Sequence, residues 1–434
     1  MSHAELLARH RKVLPNWMAL YYEQPIELVD GKGCRVTDGE GVTYLDFFAG
    51  ILTTMIGYNP PEVVEAVREQ AGRMVHTSTL YLIRRQVELA ERVAELSGIP
   101  DAKVFFTNSG TEANEAALLL ATTARRSNQV LALRNSYHGR SYAAMGVTGN
   151  RSWSASSFTP VNVSYVHGGY RYRSPFGHLD DQAYIAACVD DLKDVIDTTT
   201  AGQVACMIAE PIQGVGGFAL PPDGLFGAMK EVLDAHGILF VSDEVQTGWG
   251  RTGDHFWGYQ AHGVVPDMLT FAKGLGNGLP IGGVVARAEL MDSVTANSIS
   301  TFGGNPLVAT GALAVLDYLA AHDLQANARA VGARLAAGLG RLASGRPAVG
   351  DVRGKGLMWA LELVEPGSRT PAPALAARAQ EEARRGGLLI GKGGLVGHTL
   401  RMAPPLTLTE AEAKEGLGIL TDALTAVNEE ASKP

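Results

Sequence analysis

Six short apolar runs in the middle of the chain alternate with longer segments of helical periodicity. The runs cover residues 103–107, 129–133, 204–210, 238–244, 268–272 and 282–286. The stretch 238–241 is apolar at every position, which is typical of a strand covered on both faces. Helical patterns at 112–126 and 224–237 lie between the runs. This alternation indicates βαβ units and predicts an α/β fold with a mostly parallel sheet.

The two ends of the chain have a different pattern. Residues 1–60 contain turns and short strand-like pieces, and a helical pattern runs from Pro306 to about Leu324, followed by mixed segments. We therefore predict two domains: a large one at 61–305, and a smaller one built from both 1–60 and 306–434.

Composition excludes several classes of partner and site. The net charge of −8 and the lack of a Lys/Arg cluster argue against a nucleic-acid surface. No stretch reaches the roughly 18 apolar residues of a membrane span, so no membrane partner is expected. The three cysteines form no CxxC motif and the histidines no HExxH motif, so neither a disulfide framework nor a metal site is predicted. We expect a cytoplasmic enzyme.

Polar residues follow the predicted strands at their carboxyl ends, where parallel α/β sheets bind ligands. Ser109, Gly110 and Thr111 directly precede a helical pattern. Such a segment either cradles an anion at the positive end of the helix dipole or simply caps the helix.

Three further residues stand at strand ends. Tyr137 and His138 follow the second run, and Glu210 ends the third. An aromatic ring in this place stacks on a flat ligand or fills a gap in a loop. A carboxylate there pairs with a cation, faces the site or is simply solvated.

An acid and a lysine complete the set. Asp243 comes directly after a buried run, where a carboxylate needs a partner, and Lys273 follows another run. A lysine at a strand end either reaches water or acts as a nucleophile in a dry pocket. Pyridoxal 5′-phosphate (PLP) requires an anion site, a stacking ring, a carboxylate beside its ring nitrogen and an amine. The combination predicts a PLP site.

Seven motifs carry a resemblance to a known family. They read NSGTEANEAAL, YHGR, AEPIQG, SDEVQTGWGRTG, AKGLGNGLPIGG, STFGGNP and VRGKGLMWALEL. Together they resemble the class III aminotransferases, PLP enzymes of fold type I, and the likeness extends over 44–412. It implies a large PLP-binding domain with a mostly parallel sheet and a small α+β domain from both termini.

The resemblance assigns roles around the cofactor ring. Lys273 resembles the lysine that bonds to the cofactor aldehyde, and Asp243 the partner of the pyridine nitrogen. Gln246 looks like the donor to the phenolic oxygen. Tyr137, beside His138, matches the aromatic residue on one ring face, and Val245 the apolar contact on the other.

Further roles lie at the phosphate and at the substrate. Ser109, Gly110 and Thr111 match the phosphate cradle. Thr301 resembles a residue that reaches the phosphate of the partner subunit, which implies a homodimer; a tetramer stays open. Arg401 resembles the arginine that binds a substrate carboxylate.

Glu210 resembles a glutamate that can cover that arginine when the other substrate binds. A fixed ion pair without gating is the alternative. Tyr58 and Asn59 depart from the family pattern, which often has a histidine pair there. This departure, close to the expected substrate pocket, leaves the donor open.

Within the family the chain is most similar to alanine–glyoxylate aminotransferase 2 and the ω-amino acid–pyruvate enzymes. This implies ping-pong transfer from an ω- or β-amino acid, an amine or alanine to pyruvate or glyoxylate. Alternatives are an ornithine/4-aminobutyrate-type enzyme that uses 2-oxoglutarate, and a lyase that acts on an amino-alkyl phosphate. A binding module without catalysis is disfavoured because Lys273 and Asp243 are both present.

Overall fold

A computed structural model describes residues 2–431 and confirms the α/β fold. The strands, numbered in chain order, are β1 Leu28–Lys32, β2 Arg35–Asp38, β3 Thr43–Asp46, β4 Ala102–Thr107, β5 Gln129–Leu133, β6 Asn162–Val166, β7 Val204–Ala209, β8 Leu239–Asp243, β9 Met268–Phe271, β10 Gly282–Arg287, β11 Val349–Lys355, β12 Met358–Leu363, β13 Leu388–Leu389, β14 Gly391–Gly393 and β15 Thr399–Met402. The six predicted strands are confirmed, with their ends within one residue of the predicted positions.

The central sheet has seven strands in the order β4-β10-β9-β8-β7-β5-β6. Strands β5 to β9 are all parallel, whereas β10 runs antiparallel to both β4 and β9. Every residue of β7, β8 and β9 is buried, as their continuous apolar runs predict for strands covered on both faces. Strand β6, which the sequence analysis did not predict, forms one edge.

Helices cover the sheets. They are α1 His3–Val13, α2 Ala49–Leu52, α3 Pro61–Arg73, α4 Arg84–Ser97, α5 Gly110–Arg125, α6 Tyr142–Gly146, α7 Asp181–Thr199, α8 Leu225–Ala235, α9 Ala288–Met291, α10 Pro306–Ala321, α11 Leu324–Ala343, α12 Pro373–Arg385 and α13 Glu410–Ala431. Local sequence signals determine where several of these helices begin or end. Ser109 caps α5 by accepting the N–H of Glu112, and Gly237, with a φ of 63°, follows the end of α8.

The helix predicted from Pro306 to about Leu324 is confirmed as α10, and a second helix that was not predicted follows it. Helix α10 ends at Ala321, and α11 follows after a turn at Asp323, whose φ is 46°. The two helices meet at a bend of 62°. Among the described residues no single helix is long and apolar enough to cross a membrane; only this bent pair passes, by length and composition.

Of two small four-stranded sheets, the first combines both ends of the chain and the second is formed by its C-terminal part alone. One has the order β1-β2-β3-β13, and the other β11-β12-β15-β14. A continuous apolar core joins them to the central sheet, with members from residues 34 to 427. The proposed domain boundaries at 61 and 305 therefore stay a prediction.

Candidate active site

Candidate site residues meet at one edge of the central sheet. Asp243 ends β8, Glu210 directly follows β7, and Lys273 comes two residues after β9. Tyr137 and His138 lie in the loop after β5. Because these strands are parallel, their carboxyl ends share one edge of the sheet, which is where α/β folds form their ligand sites.

Hydrogen bonds fix the Asp243 carboxylate. Its Oδ2 accepts a hydrogen bond from Asn114 Nδ2 at 2.8 Å and lies 2.8 Å from His138 Nδ1, and its Oδ1 accepts from the N–H of Val245 at 3.1 Å. Asn114 is itself held, since its Oδ1 accepts from the Thr270 hydroxyl at 2.7 Å. Both oxygens of this carboxylate thus have hydrogen-bond partners although the residue is only 4% exposed.

Asn114 was missed by the sequence analysis. It lies on α5, on the face that packs against the sheet, beside Ala113, Ala117 and Leu118. An amide in the apolar face of an amphipathic helix is a usable signal, because a buried polar group needs a partner. The partner itself, 129 positions away, has no local signature.

Lys273 is enclosed and conformationally strained. Its φ of 44° is unusual for a residue with a side chain, and such strain is common at functional sites. Burial lowers the pKa of its amine to about 8. Asp243 and Glu210 act against this shift, whereas the positive charge of Arg401 adds to it. The four charges therefore lie within electrostatic reach of one another.

The predicted anion cradle is the N-terminus of α5. A Cβ on Gly110 would lie 3.0 Å from Val245 Cγ1, so the backbone approaches this residue closely. The Thr111 hydroxyl accepts the N–H groups of Arg140 and Ser141, both at 3.1 Å. Thr111 thus also holds the loop after β5 against the helix end.

Glu210 and Arg401 are linked through one residue. The Glu210 carboxylate accepts the N–H of Tyr137 at 2.9 Å and that of Gly214 at 2.8 Å. The Gly214 carbonyl accepts from Arg401 Nη1 at 3.0 Å. Among the ion pairs of the described residues, none joins Glu210 to Arg401 directly. Burial raises the pKa of Glu210.

Arg401 is held between two rings. Its Cζ lies 5.1 Å from the ring centroid of Phe48 and 5.3 Å from that of Phe218. Its Nε donates to the Lys392 carbonyl at 2.9 Å. Burial lowers the pKa of this guanidinium, as expected for a cation without a carboxylate in contact.

Two polar atoms face the same region without a partner. Gln246 Oε1 and His138 Nε2 are buried and have no hydrogen bond within the described structure. The Tyr137 ring lies 5.5 Å from that of Trp153, at 72°. Trp153 was not predicted as a neighbour of the site.

Thr301 makes no hydrogen bond to the other candidate residues within the described structure. It is exposed, in the loop before α10, next to Phe302, whose ring is 5.1 Å from that of His76. Its neighbour Ser300 accepts from Asn108 Nδ2 at 3.3 Å, next to the predicted anion cradle.

The residues present fit PLP. A helix N-terminus, the Tyr137 ring, a fixed buried carboxylate and a buried amine provide the four kinds of group that PLP requires, and Gln246 has a buried amide oxygen without a partner. Lys273, Asp243, Gln246, Tyr137 and the start of α5 would hold it.

Comparison with known proteins agrees with this geometry. The family model described as "Aminotransferase class-III" matches residues 19–424. The chain belongs to the class III aminotransferases. The family is PLP-dependent, and the enzyme's cofactor is therefore PLP.

Among the residues that the structure describes, no group of three or more His, Cys, Asp or Glu could hold a metal ion.

Three similar proteins place this aminotransferase within the family. A relative from Arabidopsis thaliana, "Alanine--glyoxylate aminotransferase 2 homolog 2, mitochondrial", is 42% identical over 94% of this chain and 84% of its own length. The (S)-enantioselective ω-transaminase from Thermomicrobium roseum has a TM-score of 0.89 at 35% identity, with full coverage of both chains. A PLP-bound amine transaminase from an uncultivated Pseudomonas species has a TM-score of 0.89 at 33% identity, covering 97% and 99% of the chains.

Proposed function

We propose that this aminotransferase moves the amino group of an ω- or β-amino acid, an amine or alanine to pyruvate or glyoxylate. Two names support this choice: the Arabidopsis relative is called an alanine–glyoxylate aminotransferase, and the Thermomicrobium protein an ω-transaminase. The observation that carries it is Arg401, one buried guanidinium between two aromatic rings. A single cation in apolar surroundings suits a small keto acid with one carboxylate.

The residues have distinct tasks in the transfer. PLP, when bound, supplies an aldehyde that takes up the amino group and a ring that accepts the electrons of the broken C–H bond. The Lys273 amine, with its lowered pKa, takes the proton from the donor carbon and returns it later in the reaction. Asp243, held by Asn114 and His138, keeps a proton on the ring nitrogen.

Arg401 orients the keto acid. Its Nε and Nη1 are engaged by the carbonyls of Lys392 and Gly214, which fix the plane of the guanidinium. The remaining N–H groups could bind a carboxylate and would thereby orient the keto acid in the site. A gate by Glu210 would first have to break its two bonds to backbone N–H groups.

We further propose a homodimer. An apolar surface, here called the 74–302 patch, comprises Met74, Val75, Leu80, Tyr81, Leu82, Ile299 and Phe302, each more than half exposed. Hydrogen bonds join the two segments that form the patch: the Leu307 N–H donates to the Val75 carbonyl, and the Gln86 side chain donates to the Gly303 carbonyl. A patch of this kind favours a protein partner, and Thr301 within it suits a second copy.

We also propose that the enzyme works in the cytoplasm. All three cysteines, Cys34, Cys188 and Cys206, are buried and free. Free thiols are typical of proteins in a reducing compartment. Targeting of a tagged chain in its own cells, followed by fractionation, tests this.

A donor and acceptor screen tests the substrate proposal. The holoenzyme is given β-alanine, 3-aminoisobutyrate, 4-aminobutyrate, a diamine or alanine, each with pyruvate, glyoxylate or 2-oxoglutarate. We expect the highest kcat/KM with pyruvate or glyoxylate. A preference for 2-oxoglutarate contradicts the proposal, and so does release of ammonia and inorganic phosphate from an amino-alkyl phosphate without any keto acid.

A further inference from the structure

A buried ion cluster, which the proposed chemistry does not use, lies beside the active site. At its centre is Glu362 of β12, whose side chain is fully buried. Its carboxylate accepts from the Tyr170 hydroxyl and Arg173 Nε, both at 2.5 Å, from Arg353 Nη1 at 2.7 Å, and lies 3.1 Å from His398 Nε2. Burial alone would raise the pKa of Glu362, but these partners hold it at about 2.

Arg353 extends from this cluster to the active-site side. Its Nε and Nη2 both donate to the Gly217 carbonyl, at 3.0 and 2.7 Å. Its Nη1 is held by Glu362 and by Asp351, and its Cζ lies 4.9 Å from the ring centroid of Tyr170. All three nitrogens of the guanidinium are thus engaged, so its position is fixed.

Gly217 ends a short segment, 214–217, that we call the glycine loop. Its first residue, Gly214, gives its N–H to Glu210 and its carbonyl to Arg401. The Gly217 N–H donates to the Gly214 carbonyl at 3.2 Å, so the two ends of the loop are coupled. A displacement of Gly217 therefore moves the acceptor that orients Arg401.

The rest of the glycine loop has little freedom. The Val215 carbonyl accepts the N–H of Gly394 at 2.9 Å, and the Gly216 carbonyl accepts from Asn135 Nδ2 at 3.0 Å. Gly217 has a φ of 96°, and a Cβ there would lie 3.0 Å from Arg353 Nη2. Hydrogen bonds hold the glycine loop along its length, and at Gly217 the charged partner is Arg353.

We propose that Arg353 is a positioning residue for the substrate carboxylate. It acts through Gly217 and Gly214, which hold the Arg401 guanidinium in the plane that a carboxylate needs. The inference rests on the proposed role of Arg401. If Arg353 only stabilised the fold, its loss would affect ligands with and without a carboxylate alike.

Two small reagents distinguish a positioning role of Arg353 from a purely structural one. Hydroxylamine and aminooxyacetate would both displace the Lys273 amine from the cofactor carbon and form a new C=N bond there, but only the second bears a carboxylate. The second-order rate constants of both reactions are obtained from the cofactor absorbance of the holoenzyme. Their ratio measures carboxylate recognition, whatever the natural amino donor is. The variant is Arg353→Lys, which keeps the charge but loses the two-nitrogen grip on Gly217.

Arg173→Lys is the matched control. Arg173 holds the same Glu362, and its other described bond goes to the Arg369 carbonyl, away from the glycine loop. We expect the aminooxyacetate-to-hydroxylamine ratio to fall about tenfold in Arg353→Lys and to stay within about twofold of wild type in Arg173→Lys. An unchanged ratio in Arg353→Lys, or an equal fall in both variants, overturns the proposal.

Two further variants complete the test. If Arg353→Lys does not fold, Asp351→Ala, which removes the half-buried partner of Arg353, is measured instead; a fall of about threefold supports the proposal and no change overturns it. Arg401→Gln separates the inference from its premise. A ratio that falls in Arg401→Gln but not in Arg353→Lys refutes only the inference, whereas no fall in Arg401→Gln refutes the proposed role of Arg401.

Discussion

At the scale of single residues, Lys273 depends on its surroundings more than on its sequence neighbours. In water its amine would be protonated at neutral pH, with a pKa near ~10.4. Burial brings this pKa to about 8, so a useful fraction of the amine is neutral. Asp243 and Glu210 limit the shift and keep the group able to carry a proton. Both properties are needed for a base that also returns its proton.

Lys273→Ala should abolish transamination. The variant loses the amine that we propose bonds to the cofactor and moves the proton, while the proposed anion site at α5 and Asp243 would remain to bind PLP weakly. We expect a loss of at least about 10³-fold in kcat, and no PLP bonded to the chain after borohydride treatment and peptide mapping. Lys103→Ala, at an exposed ion pair with Asp292, is the control and should keep full activity.

The capture of PLP by the apoenzyme should depend on pH. Below about pH 8 the Lys273 amine is protonated and unreactive, so the rate rises as pH increases through this value and then levels off. Stopped-flow absorbance after mixing apoenzyme with PLP measures this profile. Glu210→Gln removes a charge that raises the pKa, so its midpoint should lie lower. A midpoint near ~10, as for a solvated lysine, would contradict the assignment.

At the scale of elements, the chain uses glycines where two elements approach closely. Helix α11 crosses the turn between β11 and β12, and a Cβ on Gly332 would lie 2.2 Å from the Gly356 carbonyl oxygen. Gly340, on the same helix, is exposed with nothing within 4 Å of such a Cβ. The two positions therefore separate packing from helix propensity.

Gly332→Ala should destabilise the protein, and Gly340→Ala should not. The added methyl at 332 pushes the helix from the turn, and we expect a loss of about 2 kcal/mol in the free energy of unfolding. At 340 the better helix propensity of alanine should give a gain of up to ~1 kcal/mol. Urea unfolding followed by circular dichroism measures both. Equal losses at both sites would show that the close contact is not decisive.

The accuracy of the sequence predictions also varies by element. The strands of the central sheet were predicted because covered strands are continuously apolar, and α8 because His236 and Gly237 mark its end. Helix α11 was missed: its pattern directly follows that of α10, and the turn between them depends on Asp323 in a left-handed conformation. The antiparallel direction of β10 also went unpredicted, since a covered strand is apolar whichever way it runs.

At the scale of the whole molecule, the exposed 74–302 patch is the strongest sign of assembly. Leu82 is 98% exposed, and Phe302, next to Thr301 in the chain, is 56% exposed. Exposed apolar side chains in a patch of this size favour association, because burying each one contributes about 1.5–3 kcal/mol of favourable free energy.

Leu82→Arg should weaken the proposed dimer. A charge in the centre of an apolar interface is desolvated without a partner, so we expect monomers at micromolar concentration. If Thr301 reaches the phosphate in the partner subunit, as its resemblance implies, the retention of PLP should weaken as well. Analytical ultracentrifugation and dialysis of the holoenzyme measure both effects. Phe158→Arg, at another exposed aromatic residue, is the control. A wild-type chain that sediments as a monomer would refute the homodimer.

The sequence alone determined the α/β class, the central strands and the polar residues at their ends, because apolar periodicity and helix caps are local properties. It also carried the likeness to class III aminotransferases. Only the tertiary structure decided that Asn114 and His138 hold Asp243, that Gly214 stands between Glu210 and Arg401, and that Arg353 grips Gly217. These contacts join residues as far as 187 positions apart. No local pattern encodes them, because each depends on how the packed elements meet.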